Sequence, residues 1–444
     1  MVTQLRSHLT AGLRISLICA TALAVLGTVS AAGGTNKLAK KPVGAAYSET
    51  NDPAGNSVVV FDRFADGTLV KREAVGTGGN GSTQSVGCGP GCPILDSQNA
   101  VLVSRNGRFV VAVNAGSDTV SSFRETDSGL KLVDQQPSGG DMPESLALAG
   151  RLLYVLNVAT ANANGTTGNI YGFRITGDGH LTPVGSSQPL AHAAPPDHSA
   201  DPRAIDIDPS GHVIVVTEIA AGFMGPGGPP GAIDTFVVGP DGKAGPAVSH
   251  PSSDGFPFGF AIDHAGHLVV SNLHIPDNKT VGSVSSYRLT HSGDVIPVDT
   301  KSSGGVLPCW VVIAGGGEDD EQDGDNNDGG GERNGAGRFA YVVNTGAGFP
   351  ASVAGFGLSP GGTLTPVGSP AVGAGEFART DAAASRDGKF LYVLSPQVGP
   401  LAVPLFQPSH IDVYAIGAGG SISPIGSTPA SATMGIGATG LAVR

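Results

Sequence analysis

The acidic segment 315–337 contains residue types that can bind calcium. It has eight acidic residues among its glycines, and Asp323, Asp325 and Asn327 stand at alternate positions, as in an EF-hand loop. However, Asp328 occupies the place where that loop requires glycine, and no Glu stands at its twelfth position. We therefore expect a solvated, disordered acidic loop, with weak calcium binding as the alternative.

The cysteines could form one short disulfide. Cys88 and Cys92 enclose the tight loop Gly-Pro-Gly, and an oxidising compartment would allow them to join, although free thiols remain the alternative. A zinc site would need further ligands nearby, and the sequence offers none. Cys309 begins an apolar strand, so we expect it to be a small buried hydrophobic residue.

No other motif in the sequence indicates a metal or a cofactor. His264, His267 and His274 cluster along the chain, but their turn and loop positions explain them better than metal binding does. The sequence has no glycine-rich phosphate loop before a helix, no nucleophile elbow and no zinc-binding helix motif. We therefore expect no cofactor and no metal.

The N-terminal segment has the pattern of a secretory signal. Arg6 and Arg14 precede an apolar run over residues 15–29, and small residues follow at the expected cleavage point. This pattern predicts a signal peptide at 1–31 and a linker at 32–42, so the mature chain would be secreted or periplasmic. An uncleaved N-terminal anchor is the alternative, and no later stretch is long enough to span a membrane.

The composition favours a folded β protein and argues against a helical bundle, a disordered chain and a nucleic-acid binder. The chain has 69 Gly and 32 Pro in 444 residues, a density that would interrupt helices throughout. Hydrophobic residues make up 40% and charged residues 14%, which is too apolar for a disordered chain. The net charge is −12 and no basic cluster follows the signal, so we expect no nucleic-acid partner. The oligomeric state cannot be inferred from the sequence.

One four-strand unit recurs along the chain. Each copy has a short apolar strand, a glycine turn, a second apolar strand that often ends in Asn, an alternating strand and a last strand of the type Leu-x-x-Val. Six complete copies begin near Val101, Ser145, Ala204, Phe258, Cys309 and Asp381, and a weak last strand is expected near Ala247. A seventh copy combines Val43–Tyr47, Val58–Phe61 and Leu69–Lys71 with the C-terminal Gly440–Val443.

This arrangement predicts an all-β fold. Seven four-stranded antiparallel blades over residues 43–444 would form a seven-bladed β-propeller, closed when the C-terminal strand joins the N-terminal blade. The acidic segment then lies as an insertion inside the sixth complete repeat region.

The repeated segments resemble the β-propeller lactonase family, also described as 6-phosphogluconolactonase-like or 3-carboxymuconate-cyclase-like. The resemblance runs from about Val43 to Arg444. The segments that carry it are SVVVFDRFADGTL, RFVVAVNAGSDTVSSF, PSGGDMPESLAL with LLYVLN, AIDTFVVGPDG, PFGFAIDHAGHLVVS, VSSYRL, PCWVV, RFAYVVNTGAG, DGKFLYVL and GATGLAVR. It implies a seven-bladed propeller that hydrolyses a sugar-type or muconate-type lactone, or catalyses the reverse ring closure, without a metal.

The resemblance also implies catalytic residues. Characterised members use a His, a Glu and Arg residues in the mouth of the central channel, where a base directs water at the lactone carbonyl and a cation holds the oxyanion. It assigns these roles here to His198, Arg203 and Glu218. Alternatively, Glu218 is a polar channel residue bonded to loop amides, Arg203 forms a structural ion pair and His198 is an exposed loop residue.

The sequence departs from the family pattern at several points. Glu218 stands one position before the family's Glu, and no His-x-His loop is present; His192 and His198 are only loosely placed. The family's later Asn-Arg step is replaced by Asn272-Leu273 and Asn344-Thr345.

Two functions are therefore open. The chain could be an extracytoplasmic lactonase or lactonising enzyme, or a secreted propeller that binds a ligand, glycan or protein without catalysis. The enzyme hypothesis predicts that Arg203 and Glu218 converge with a third ionisable group. The binding hypothesis predicts that they point apart and that loops such as 222–231 form the contact surface.

Overall fold

A computed structural model describes most of the chain after residue 39. It covers residues 40–82, 95, 97–158, 168–192, 201–219, 231–274, 281–315, 338–345, 351–368, 381–397, 407–428, 434 and 437–444. All 28 strands found there lie within the compact unit Lys41–Arg444. The described residues contain no helix long and apolar enough to cross a membrane.

The strands form seven antiparallel four-stranded sheets, which we number as blades 1–7 along the chain. Blade 1 contains β1 (Gly44–Glu49), β2 (Ser57–Arg63), β3 (Leu69–Gly76) and β28 (Thr439–Val443). Blade 2 contains β4 (Val101–Val103), β5 (Phe109–Asn114), β6 (Thr119–Thr126) and β7 (Gly129–Pro137). Blade 3 contains β8 (Pro143–Ala149), β9 (Leu152–Asn157), β10 (Asn169–Ile175) and β11 (Leu181–Pro189).

The remaining blades repeat this order. Blade 4 contains β12 (Pro202–Ile207), β13 (Val213–Glu218), β14 (Ala232–Val237) and β15 (Val248–Pro251). Blade 5 contains β16 (Phe256–Ile262), β17 (His267–Leu273), β18 (Val281–Leu289) and β19 (Val295–Val306). Blade 6 contains β20 (Pro308–Ala314), β21 (Arg338–Asn344), β22 (Ser352–Leu358) and β23 (Leu364–Gly368). Blade 7 contains β24 (Asp381–Ala384), β25 (Phe390–Gln397), β26 (Gln407–Ile416) and β27 (Ile422–Ser427).

The C-terminal strand closes the ring. Strand β28 pairs with β1, with Ala46 opposite Val443. Beyond the last paired residue, the Ala45 and Arg444 main chains exchange hydrogen bonds of 3.2 and 2.9 Å. Closure satisfies the edge that β1 would otherwise expose. The predicted seven-bladed propeller and its mode of closure are thus confirmed.

The second strands of the blades form the apolar core. Every residue of β5, β9 and β13 is buried, because these strands are sandwiched between neighbouring blades. The predicted burial of Cys309 is confirmed, at 6% exposure. Cys88, Cys92, the loop 222–230 and nearly all of the acidic segment 315–337 lie outside the described residues.

Hydroxyl groups join six of the seven blades to the next blade in the same way. A Ser, Thr or Tyr of one blade donates to a glycine carbonyl in the turn between the last two strands of the following blade. The six pairs are Ser122–Gly179, Tyr154–Gly242, Thr235–Gly293, Ser286–Gly362, Tyr341–Gly420 and Tyr392–Gly67, at 2.6–3.0 Å. The turn glycines have positive φ angles, so these Asp-Gly, Ser-Gly and Gly-Gly turns also serve the contacts between blades.

The inner strands of the blades surround the centre of the ring, and the side chain of Gln98 reaches across this centre. Its side-chain nitrogen donates to Phe260 O at 2.9 Å and Val311 O at 3.0 Å, and its oxygen accepts from Val311 N at 3.2 Å. Gln98 precedes blade 2, whereas its partners belong to blades 5 and 6 across the ring. A Cβ at Gly259 would lie 2.6 Å from the Gln98 oxygen, so this approach requires glycine. Gln98 therefore holds the segment before blade 2 against the inner strands of blades 5 and 6.

Candidate functional site

Polar residues occupy equivalent positions at or near the ends of the second strands of all seven blades, on one face of the propeller. These seven residues, which we call the strand-end ring, are Glu49, Asn114, Asn157, Glu218, Asn272, Asn344 and Ser395. Each is at most 1% exposed. Because buried polar groups require partners, the neighbours of each ring member decide what it can do.

In blades 2 and 5 the ring residue belongs to a neutral amide–hydroxyl pair. The Asn114 amide donates to Ser121 Oγ at 2.8 Å, and the Asn272 amide donates to Ser285 Oγ at 2.9 Å. Both serines occupy the same position in the third strand of their blade. These pairs satisfy the hydrogen bonds of buried polar groups and carry no net charge.

Blade 4 has acids at both of these positions. Glu218 replaces the asparagine, and Asp234, opposite Val216 in the third strand, replaces the serine. Both are 0% exposed. His192 Nδ1 lies 2.5 Å from Glu218 Oε2, and Ala191 N donates to Asp234 Oδ2 at 2.8 Å. We call His192, Glu218 and Asp234 the blade-4 cluster.

Burial and a neighbouring charge favour the protonated form of Glu218. Loss of hydration raises the pKa of the Glu218 carboxyl to about 10, and the Asp234 carboxylate beside it adds to the shift. No described residue donates a hydrogen bond to Glu218 Oε1 or to Asp234 Oδ1. In the chain by itself, one proton shared between the two acids is the arrangement that these contacts favour.

His192 connects this buried pair with solvent. Its side chain is 45% exposed, whereas the Glu218 side chain is fully buried. The imidazole therefore contacts the buried carboxyl with one nitrogen while part of its ring faces outward. Such a contact can move a proton between the interior of the blade and a molecule in the mouth.

Arg203 lies beside this cluster but is held by its own contacts. Pro202 pairs with Glu218 in the β12–β13 register, so Arg203 follows directly after that pair. Arg203 is 1% exposed, its Nη2 lies 2.8 Å from each Asp201 carboxylate oxygen, and its guanidinium stacks 5.5 Å from the centre of the Phe258 ring. These contacts are typical of a structural ion pair, and anion binding by Arg203 stays a prediction.

The structure brings together two of the three predicted site residues. Glu218 and Arg203 lie at the same end of blade 4, and His198 lies outside the described residues. Asp234 was missed, although an acid inside the strand Ala232–Val237, where no other residue is charged, was a usable signal. His192 could not have been chosen over His198 from the sequence, because a loop histidine has no periodicity that indicates its direction.

Two groups of described residues have the donor atoms of a metal site. The ligand atoms of the blade-4 cluster all lie within 4.8 Å of one another, and so do those of Asp208, His212 and His291. The second group lies in turns at the opposite ends of the strands. There, Asp208 Oδ1 already accepts from His212 N and Val213 N at 2.7 Å each, so this carboxylate serves its turn.

Comparisons with known proteins agree with the fold. Residues 54–169 match the sequence model of the family described as lactonase, seven-bladed β-propeller. No curated protein sequence matches the chain. Because the matched segment covers about a quarter of the 444 residues, the rest of the comparison depends on structure.

Several solved structures are similar over nearly their whole length. A candidate 6-phosphogluconolactonase from Bacteroides fragilis NCTC 9343 superposes with a TM-score of 0.58 at 16% identity, covering 90% of this chain and 98% of that one. The periplasmic gluconolactonase of Pseudomonas aeruginosa superposes with a TM-score of 0.57 at 16% identity, covering 90% of this chain and 98% of that one. A protein from Lactobacillus plantarum superposes with a TM-score of 0.59 at 12% identity, covering 91% of this chain and 100% of that one. Identities this low support the fold alone, and the seven-bladed ring together with the matched segment confirms the resemblance to the β-propeller lactonase family.

Proposed function

We propose that the chain hydrolyses a lactone of the sugar or muconate type, or catalyses the reverse ring closure, in the mouth beside blade 4. The observation that carries this proposal is the contact between a fully buried carboxyl, Glu218, and a half-exposed imidazole, His192, at 2.5 Å. The family resemblance supports the substrate class. Two similar structures are described as a gluconolactonase and a candidate 6-phosphogluconolactonase.

The His192–Glu218 pair would perform the proton transfers. Attack of water on a lactone carbonyl requires a base that takes the water proton, and the ring oxygen must receive a proton when the C–O bond breaks. A pair that joins a buried acid to an exposed imidazole can do both in turn. Arg203 would stabilise the oxyanion if the substrate displaced Asp201; otherwise it holds the loop end beside Glu218.

Turnover of a lactone panel tests this proposal. The panel contains phosphorylated sugar lactones, plain sugar lactones and muconolactones, and the proteins are the wild type, Glu218→Gln and Arg203→Ala. We expect Glu218→Gln to lower kcat by at least about a hundredfold while the fold is retained, because proton transfer is lost. Arg203→Ala should have a smaller effect if Arg203 is only a structural residue.

Glu49→Gln is the matched control. Glu49 occupies the same strand-end position in blade 1 and is also buried, but its described partner is the Asn56 amide at 3.2 Å. It should keep the turnover of the wild type. Equal losses in Glu49→Gln and Glu218→Gln would refute the assignment of the site, and no turnover of any lactone by the wild type would favour the non-catalytic binding propeller.

We also propose that the chain works outside the cytoplasm, as the signal pattern at 1–31 predicts. One similar solved structure is a periplasmic protein, which agrees with this location. N-terminal sequencing of the exported protein tests the proposal, and a chain that keeps its first 31 residues in the cytoplasm would refute it.

A further inference from the structure

The blade-4 cluster carries two acids where equivalent blades carry a neutral pair. In blades 2 and 5, Asn and Ser at these positions satisfy each other with hydrogen bonds of 2.8 and 2.9 Å. Two carboxylates cannot do so, because each is only an acceptor when ionised. Either a shared proton or a bound cation must therefore compensate the charge between Glu218 and Asp234.

The described neighbours supply too little positive charge. Glu218 and Asp234 are both 0% exposed, and their described polar contacts are the His192 imidazole, the Ala191 N–H and each other. Glu218 Oε1 and Asp234 Oδ1 remain without any donor among the described residues. Burying two ionised carboxylates without charge compensation is strongly unfavourable. A divalent cation matches this double negative charge.

We propose that Glu218, Asp234 and His192 bind a divalent cation of the zinc or manganese type. Their ligand atoms lie within 4.8 Å of one another, so small side-chain movements would place each about 2.0–2.2 Å from a common ion. Two carboxylates and one imidazole suit Zn²⁺ or Mn²⁺ better than Ca²⁺, which takes six to eight oxygen ligands.

The cluster is open on one side, as a catalytic ion requires. His192 is 45% exposed, and three protein ligands leave a coordination position for water or substrate. A cation here would replace the shared proton, and a water bound to it would then serve as the base in place of the free His192–Glu218 pair. The inference deepens the proposed function by naming a cofactor. Binding of the ion does not depend on the lactonase proposal, whereas the catalytic role of the ion rests on it.

Titration calorimetry with Zn²⁺ tests the binding directly, in the absence of any lactone. The full chain is stripped with a chelator, dialysed and titrated, and Mn²⁺ binding is followed in parallel by electron paramagnetic resonance. We expect one ion per chain in the wild type. Asp234→Asn should weaken binding by at least about tenfold, because it removes a charged ligand.

Two variants serve as controls. Glu218→Asn with Asp234→Ser installs the neutral pair of blades 2 and 5, so this double variant should fold normally and bind no ion at the cluster. Asp412 occupies the position of Asp234 in blade 7 and contacts Ser395 and Ser427, so Asp412→Asn should bind like the wild type. Absence of Zn²⁺ and Mn²⁺ binding by the wild type, or equal weakening in Asp412→Asn, would overturn the inference.

The two proposals can fail separately. Ion binding that depends on Asp234 without turnover of any lactone would support the cation site and contradict the lactonase proposal. Lactone turnover that depends on Glu218 but persists at full rate in stripped protein that binds neither ion would support the lactonase and refute the cation site. In that case a shared proton would compensate the negative charge of Glu218 and Asp234.

Discussion

Glu49 and Glu218 occupy the same position in two different blades, and their neighbouring residues give them different chemistry. Both end a second strand and both are 0% exposed, and burial raises the pKa of each carboxyl. Glu49 accepts from the Asn56 amide, which belongs to a network of neutral side chains with Asn114. Glu218 instead contacts an imidazole and a second acid. Burial alone therefore does not identify a reactive carboxyl, and the charged contacts distinguish the two.

Another buried acid, Asp381, should make stability depend on pH. Burial raises the pKa of Asp381 to about 7, even though backbone N–H groups including that of Leu441 donate to it. Because the folded value exceeds the unfolded value of 3.8, this group's stabilising contribution is complete below pH 4 and is lost as the pH rises to about 7. The loss is about 1.4 kcal/mol for each pH unit in that window.

Thermal unfolding of Asp381→Asn between pH 4 and pH 8 measures this contribution. The variant lacks the ionisation, so its melting temperature should rise relative to that of the wild type as the pH increases towards 7, and the difference should then level off. Parallel melting curves over the whole range would contradict the raised pKa.

At the scale of the elements, the contacts between blades depend on hydroxyls that reach the next turn. The Tyr341 hydroxyl donates to Gly420 O at 2.8 Å and the Tyr392 hydroxyl to Gly67 O at 3.0 Å. Both tyrosine rings are buried in the second strand of their blade. One residue type therefore fills the space between blades with its ring and fixes the neighbouring turn with its hydroxyl.

Removal of these hydroxyls should lower stability without altering the fold. We expect Tyr341→Phe and Tyr392→Phe each to reduce the free energy of unfolding by about 1–2 kcal/mol, because a buried glycine carbonyl loses its donor. Denaturant unfolding measures the change. Tyr171→Phe is the control, since Tyr171 has no side-chain hydrogen bond among the described residues, and a loss of similar size there would refute the role of the turn contact.

At the scale of the whole molecule, closure makes the first blade depend on the last strand. Strand β28 supplies the inner strand of blade 1, and it buries Leu441, Ala442 and Val443 between blade 1 and its neighbours. Loss of this strand would expose the hydrogen-bonding edge of β1 and an apolar seam, which is a common cause of aggregation.

Deletion of residues 439–444 should therefore prevent formation of a stable monomer. We expect the truncated chain to aggregate or to melt far below the full chain in size-exclusion and thermal-unfolding measurements. A synthetic peptide of residues 437–444, added during refolding, should restore part of the stability by completing the sheet. A truncated chain that stays monomeric with an unchanged melting temperature would show that closure contributes little.

The sequence by itself determined the propeller and part of its site. Alternating strands and glycine turns are local patterns that recur from blade to blade. Together with the three N-terminal strands and the one C-terminal strand left over, they specified the blade order and the closing strand that the structure confirms. The strand-end position of Glu218 and the placement of Arg203 beside it followed from the same repeat.

Only the tertiary structure decided which groups meet. His192 belongs to the loop after blade 3, Asp234 to the third strand of blade 4, and Gln98 reaches across the ring to blades 5 and 6. These contacts depend on loop direction and on ring closure, neither of which leaves a periodic trace in the sequence. The tertiary structure therefore decided that Glu218 contacts an imidazole and a second acid, and that Arg203 is engaged by Asp201.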